Sequence, residues 1–163
     1  MSKSEFVYTT YIKTTPQKLW EALTNPEFMK QYWFGMYCTS DWKPGSPWQL
    51  RFSDGQVGDA GEITESTPPK RLSIKWRNES RPELKAEGFS LCVFEIEQED
   101  EAVKLTVTHG MGQSPSKTIE AVSGGWPKVL SNLKSLLETG QVVVSRVIDC
   151  RGKAPEGQPR QSQ

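Results

Sequence analysis

The chain has 163 residues, with 20 basic and 20 acidic side chains, so its formal net charge at pH 7 is zero. This balance argues against nucleic acid as a partner, because a nucleic-acid-binding protein needs a basic face to neutralise phosphates. No apolar stretch approaches the length of a membrane-spanning helix, and the N-terminus lacks a hydrophobic signal segment. The three cysteines, Cys38, Cys92 and Cys150, follow no disulfide or zinc spacing, so we expect a reduced, cytoplasmic protein without a metal.

A strand and two short helices are predicted at the N-terminus. Residues 5–14 are rich in the aromatic and β-branched types that favour strands. Thr15 as N-cap and Pro16 at the first helical position start a helix that ends at an Asn-Pro pair. A second short helix is predicted over 26–31, followed by a return to strand at 32–34.

Between residues 35 and 110 the sequence alternates between short strands and turns. Apolar residues occupy every second position in several stretches, as in a strand with one buried face. These stretches carry Trp48, Leu50 and Phe52; Leu72, Ile74 and Trp76; Cys92, Phe94 and Ile96; and Val103, Leu105, Val107 and His109. A further strand carries Val57 and Ile63, and residues 78–85 are predicted to be a polar loop. About seven such strands predict an antiparallel sheet covered on one side, and so the α+β class.

A long amphipathic helix is predicted near the C-terminus, ending at Gly140. Its apolar stripe consists of Trp126, Val129, Leu130, Leu133, Leu136 and Leu137, and its predicted solvent side of Lys128, Asn132, Lys134 and Ser135. Pro127 leaves the start open: the helix begins near 123–125, or a longer helix from Ser116 is kinked at this proline. The neighbouring Gly124 and Gly125 leave room for a close approach.

The chain is predicted to form one domain over residues 1–150. Residues 151–163 contain no bulky apolar side chain and are predicted to be a disordered tail. Valine-rich residues before this tail are expected to extend the fold briefly.

Residues at both ends of the domain resemble a known family. At the N-terminal end these are Tyr11, Ile12, Thr14, Pro16, Leu19, Trp20 and the string Ala22, Leu23, Thr24, Asn25 and Pro26, with Tyr32 and Trp33. At the C-terminal end they are Val107, Thr108, His109, Gly125, Trp126, Leu130, Leu133, Leu136 and Leu137. This pattern resembles proteins related to the activator of the heat-shock-protein-90 ATPase, in the START-like (SRPBCC) superfamily. The resemblance covers roughly residues 5–140.

The resemblance implies a helix-grip fold. In this fold a curved antiparallel sheet wraps around a long C-terminal helix, and two short helices follow the first strand. Such proteins usually hold an elongated apolar cavity between helix and sheet. Superfamily members include lipid carriers, hormone receptors, cyclases and chaperone regulators, so the resemblance implies a fold rather than one activity.

Inward-facing positions of the strands and the helix predict the candidate ligand-binding residues. They are Trp48, Leu50, Phe52, Ile74, Trp76, Cys92, Phe94, His109, Trp126, Leu130 and Leu133. Concave apolar pockets with a few polar groups are the usual small-molecule sites. The alternative is that these side chains fill a solid core.

His109, the single histidine, is the one polar member of this set. It would orient a ligand or act as a general base, or simply form hydrogen bonds at a strand end. No serine, aspartate or cysteine stands at a spacing that completes a recognisable catalytic set, so no catalytic residue is assigned. The acidic residues 95–101 are interpreted as a solvated hairpin rather than a cation site.

Three functional hypotheses follow from this pattern. The first is a module that binds a hydrophobic small molecule or lipid without catalysis or cofactor. The second is a cyclase- or hydrolase-like enzyme that uses the same cavity with His109. The third is a protein-interaction module similar to the chaperone activator, with a chaperone as its partner.

Overall fold

The computed structural model describes residues 4–145. In chain order its elements are β1 (Ser4–Ile12), α1 (Pro16–Thr24), α2 (Pro26–Tyr32), β2 (Tyr37–Ser40), β3 (Pro47–Arg51), β4 (Val57–Thr67), β5 (Arg71–Asn78), α3 (Pro82–Lys85), β6 (Ser90–Glu99), β7 (Ala102–Met111) and α4 (Lys117–Thr139). The predicted tail at 151–163, Cys150 and the last of the valine-rich residues lie outside the described range.

All seven of these strands form one curved antiparallel sheet in the order β1-β7-β6-β5-β4-β3-β2. The first strand pairs with the last, from Ser4 opposite Met111 to Ile12 opposite Val103. Every second residue of β7 is buried, because one face of the sheet is covered by α4 and the short helices. The predicted helix-grip architecture of the α+β class is therefore confirmed.

Side-chain caps set the limits of the two short helices. Thr15 accepts a hydrogen bond from the Lys18 backbone N–H at 3.2 Å, as expected of an N-cap. Asn25 ends α1 and starts α2, because its Oδ1 accepts from the N–H groups of Glu27 and Phe28. The predicted break between the two helices is therefore confirmed.

The longer of the two predicted versions of α4 is correct. The helix starts after Ser116, runs through Pro127 and ends at Gly140, whose φ of 83° is left-handed. The Glu87 carboxylate accepts hydrogen bonds from Ser116 Oγ and from the N–H groups of Lys117 and Thr118, at 2.8 to 3.0 Å. Burial acts to raise the pKa of Glu87, but these bonds outweigh it and lower the pKa. The ionised carboxylate thus stabilises the helix N-terminus.

The predicted solvent position of Asn132 is wrong. Asn132 is 1% exposed, and its amide Nδ2 donates to the backbone carbonyls of Tyr32 and Val144. Its Oδ1 accepts from the N–H groups of Val143 and Val144 at 2.9 and 2.7 Å. The amide is tolerated in the interior because the chain turns back after α4 and supplies partners for both its oxygen and its nitrogen.

Two smaller predictions also need correction. Residues 32–34 are not a strand, because α2 continues to Tyr32 and the next strand starts only at Tyr37. The polar loop at 78–85 contains α3, which buries Leu84. Lys134 lies on the exposed side as predicted, where its ammonium group bonds the Tyr11 carbonyl and the Glu138 carboxylate.

We expect Leu133→Ala to lower the free energy of unfolding by about 2–5 kcal/mol, because it leaves a cavity under the centre of α4. Leu133 is fully buried. The matched control is Lys128→Ala, an exposed position on the same helix, for which we expect a change below about 0.5 kcal/mol. Urea unfolding measures both values, and equal losses would show that the helix is rotated from the orientation described.

Candidate functional site

Three tryptophans pack together where α4 crosses the sheet. The ring centroids of Trp33 and Trp126 are 5.4 Å apart, those of Trp76 and Trp126 5.8 Å, and those of Trp33 and Trp76 6.3 Å. Trp48 lies behind them, with its ring centroid 4.5 Å from that of Trp76. This indole cluster (Trp33, Trp48, Trp76 and Trp126) fills the space between helix and sheet at this level.

Gly61 allows the backbones of β4 and β5 to approach closely beside these indole rings. In the strand register it lies opposite both Trp48 on β3 and Trp76 on β5. A Cβ atom at this position would lie 1.7 Å from the Lys75 carbonyl oxygen, so no side chain fits.

A hydrogen-bonded chain passes through His109 beneath the cluster. Trp126 Nε1 lies 3.1 Å from His109 Nδ1, and His109 Nε2 lies 2.7 Å from Ser90 Oγ. Because an indole N–H can only donate, Nδ1 is the acceptor and the neutral imidazole carries its proton on Nε2. Nε2–H therefore donates to Ser90 Oγ, whose own hydroxyl donates to the Trp76 carbonyl at 2.9 Å.

This chain leaves His109 without a nitrogen for other chemistry. The residue is fully buried, and burial lowers its pKa to about 4, so the ring stays neutral at neutral pH. Ser90 is likewise buried and already donates its proton to backbone. The contact between serine and histidine is therefore a structural link between α4, β7 and β6.

A cavity of about 470 Å³ opens beside the indole cluster, under the N-terminal half of α4. Its other walls come from the connection between α2 and β2, from β3 and β4, and from the segment that joins β5 to α3. Apolar side chains dominate these walls, among them Trp33, Leu50, Phe52, Trp76, Val122 and Trp126.

Polar side chains enter the cavity wall at a few points. They are Ser53, Asp59, Asn78, Arg81, Thr118 and Lys128. Asn78 Oδ1 accepts from the backbone N–H of Arg81, and the Arg81 guanidinium pairs with Glu83 at 2.9 Å. The Thr118 hydroxyl lies close enough to the Glu87 carboxylate to lower its pKa, yet it has no well-formed hydrogen bond among residues 4–145.

Asp59 is the carboxyl group of this wall. Its Oδ2 accepts a hydrogen bond from Trp76 Nε1 at 2.6 Å. The carboxyl group is surrounded by protein atoms, although part of the residue remains accessible. Burial raises its pKa to about 7. The hydrogen bond from Trp76 acts to lower this pKa, and the nearby Glu79 carboxylate raises it by a smaller amount. Asp59 therefore changes its charge near neutral pH.

The structure separates the eleven sequence-predicted site residues into two groups. All are buried, as their inward positions predicted. Leu50, Phe52, Trp76 and Trp126 line the cavity. The other seven lie outside its wall: Trp48, Ile74, Cys92, Phe94, His109, Leu130 and Leu133.

The sequence reasoning missed the polar groups of the cavity wall. A signal existed for Asp59, since it lies four residues before Ile63 and so shares the face of that residue in a regular strand. No comparable signal marked Arg81 or Thr118, because their proximity depends on the short α3 and on the early start of α4.

Two absences bear on the chemistry available. Within residues 4–145, no three metal-ligating side chains come together in a way that would hold a metal ion. None of the helices between these limits is long and apolar enough to cross a membrane.

A curved antiparallel sheet that packs on a long C-terminal helix, with a cavity between them, defines the START-like helix-grip class. The profile of one family in this class, described as "Activator of Hsp90 ATPase homolog 1-like protein", matches residues 13–138. The chain belongs to this family.

Solved structures with the same fold cover most of the chain. A protein from Mesorhizobium loti is 23% identical over 82% of this chain and 96% of its own, with a TM-score of 0.69. The Aha1 dimer from Colwellia psychrerythraea is 20% identical over 84% of this chain and 98% of its own, with a TM-score of 0.68. An HSP90 activator from Plasmodium falciparum is 24% identical over 82% and 95%, with a TM-score of 0.66. No curated protein matches the chain.

We expect His109 and Asp59 to have opposite effects on stability between about pH 4 and pH 6.5. Burial lowers the pKa of His109 from 6.5 to about 4, so the unfolded chain binds more protons at this site and stability falls as pH falls. The pKa of Asp59 is raised from 3.8 to about 7, so the folded chain binds more protons and stability rises as pH falls.

Variants at the two positions separate these contributions. Asp59→Asn removes the carboxyl group that offsets His109. Between pH 7 and pH 4 the unfolding free energy of this variant should therefore decrease by up to about 3 kcal/mol more than that of the parent. His109→Gln should shift the profile in the other direction. Urea unfolding at several pH values provides the comparison, and profiles parallel to the parent's in both variants would contradict the assignment.

Proposed function

We propose that this protein binds an uncharged apolar small molecule in the cavity between α4 and the sheet. The observation that supports this most directly is the cavity itself, whose volume of about 470 Å³ lies within the range of small-molecule sites. Its walls combine indole and aliphatic surface with a few polar groups, as such sites usually do. Burial of apolar ligand surface would supply the main driving force, at about 25 cal/mol per Å² before the entropic costs of binding.

Two polar wall groups support a ligand at this place. Thr118 is 3% exposed and its hydroxyl has no well-formed hydrogen bond among the described residues. The Asp59 carboxyl uses one oxygen for Trp76 and keeps the other. Buried polar groups are usually satisfied, so the buried Thr118 hydroxyl on the cavity wall favours a bound partner, and the second Asp59 oxygen is available to one.

An enzymatic role is less well supported by the geometry. A general base needs a free nitrogen or oxygen near the reacting group, whereas both nitrogens of His109 are used within the fold. Asp59 has no second titratable side chain as a hydrogen-bond partner within residues 4–145.

Interaction with a chaperone is the second candidate function. Membership of the family described as activator-like supports it, as does the fold shared with an HSP90 activator. It would use outer surfaces, and it is compatible with an occupied cavity.

We expect Gly125→Leu to weaken binding of an apolar probe while the protein stays folded. Gly125 lies on α4 between Val122 and Val129, all three line the cavity, and nothing lies within 4 Å of its Cβ position. A leucine there extends into the cavity, and replacing a glycine inside a helix favours the helix by up to about 1 kcal/mol.

The measurement is fluorescence titration with N-phenyl-1-naphthylamine, an uncharged apolar dye. The parent and Gly125→Ala should bind it with similar affinity, whereas Gly125→Leu should bind it at least about tenfold more weakly. The melting temperature of the leucine variant should equal or exceed that of the parent. Undiminished binding to Gly125→Leu would place the dye elsewhere, and a parent that binds no dye would refute the proposal.

A further inference from the structure

The Trp76–Asp59 pair fixes where an acidic proton would sit in the cavity. The indole Nε1–H can only donate, so Asp59 Oδ2 is an acceptor whether or not the carboxyl is protonated. In the neutral acid the carbonyl oxygen is the stronger acceptor and takes the indole hydrogen bond, which leaves the proton on Oδ1, an atom without a hydrogen-bond partner among residues 4–145. The neutral carboxyl thus carries a hydroxyl group that is free to donate.

The pair is held in place by its surroundings. Trp76 is 4% exposed and packs against Trp48, Trp126 and His109 with ring centroids 4.5 to 5.8 Å apart. Asp59 lies on β4 between Leu50 of β3 and Asn78 of β5 in the strand register. A hydrogen-bonding group fixed in this way can select among ligands of the same shape, because an unmatched polar group is costly to bury.

We propose that Asp59 is the specificity-determining residue of the cavity, and that its neutral carboxyl donates a hydrogen bond from Oδ1 to a carbonyl oxygen of an uncharged apolar ligand. This inference rests on the proposed function. A buried carboxylic acid that stays neutral is an effective hydrogen-bond donor to a carbonyl oxygen. An ionised Asp59 would instead bring a carboxylate against that oxygen, so the ligand should bind the protonated protein.

The arrangement of the rings favours this ligand over a cation. Recognition of an ammonium group by aromatic side chains needs open ring faces around it. Trp33, Trp76 and Trp126 are packed on one another at 5.4 to 6.3 Å and form a wall rather than a cage. Arg81 and Lys128 also line the cavity and would repel a cation.

Asp59 is the described wall group whose charge changes near neutral pH. Burial raises its pKa to about 7, whereas His109 on β7, with a pKa of about 4, and the buried Cys38 thiol on β2, whose pKa is raised, stay neutral. Glu79, after β5, has a lowered pKa because it pairs with Arg77 and Lys85, and it stays ionised. The basic side chains of Arg81 and Lys128 also line the cavity. The walls from β3, from the α2–β2 connection and from the rest of α4 add no titratable side chain.

The test compares three probes of nearly equal shape by equilibrium dialysis at about pH 5.5 and about pH 8.5. They are 2-acetylnaphthalene, 2-isopropenylnaphthalene, in which a CH₂ group replaces the carbonyl oxygen, and 1-(2-naphthyl)ethylamine, which carries an ammonium group. With a pKa of about 7, the neutral fraction of Asp59 falls about 30-fold between these pH values, and binding of the ketone to the parent should weaken by a similar factor. Binding of the hydrocarbon should not depend on pH.

Two variants complete the experiment. Asp59→Asn keeps an acceptor for Trp76 and a donor for the ketone at every pH, so it should prefer the ketone to the hydrocarbon equally at both pH values. Asp59→Leu should lose this preference, and its melting temperature shows whether it has folded. If it has not, the parent and the asparagine variant still decide.

Three outcomes would overturn the proposal, and they differ in what they leave standing. Equal binding of ketone and hydrocarbon by the parent would remove the role of Asp59 but leave the cavity as an apolar site. Tightest binding of the ammonium probe, stronger at the higher pH, would make Asp59 a counter-ion for a cation. No binding of any probe at either pH would refute the proposed function as well.

Discussion

The contact of Trp126 with His109 is the interaction on which the rest of the structure depends. It connects the middle of α4 to β7, and through Ser90 it continues to the backbone of β5. Four elements, β5, β6, β7 and α4, are thereby connected through buried polar atoms. Each of these atoms would be costly to bury alone, but within the chain each donor has an acceptor. The helix is therefore fixed on the sheet in rotation as well as in position.

This constraint also decides where a ligand has room. The indole cluster occupies the space that a deeper cavity would need, and Leu130 and Leu133 pack below it in the core. The open volume is left toward the N-terminal half of α4, where glycines replace larger side chains. Catalytic proposals centred on the histidine lose their basis for the same reason, since the group that stabilises the fold is the one that a catalyst would need free. The group whose protonation state changes near neutral pH is instead the carboxyl group of Asp59.

Strand alternation was the most informative part of the sequence, because a period of two leaves little freedom about which side chains point inward. Capping residues such as Thr15 and Asn25 could be predicted equally well, because their side chains bond backbone N–H groups only two or three residues further along the chain. The sequence did not predict features that depend on a contact with a distant segment of the chain. The start of α4 depends on Glu87, and the burial of Asn132 depends on chain that folds back after the helix. The polar groups of the cavity wall escaped prediction for the same reason. Asp59 faces inward because of its strand position, but the Trp76 indole of the neighbouring strand orients its carboxyl group.

The pairing of β1 with β7 has a consequence for how the chain comes to be folded during its synthesis. Ser4 pairs with Met111, and Lys13 donates its backbone N–H to Glu138, so the first strand has no strand partner until β7 has been made. At usual rates of synthesis the intervening residues take about 5 to 20 s. During that interval the alternating aromatic residues of β1 remain available to other strands. A sheet that pairs its first strand with its last strand in sequence has a high contact order, and such topologies fold slowly. The last helix, which contacts both β1 and β7, therefore packs on this strand pair only after both strands have been made.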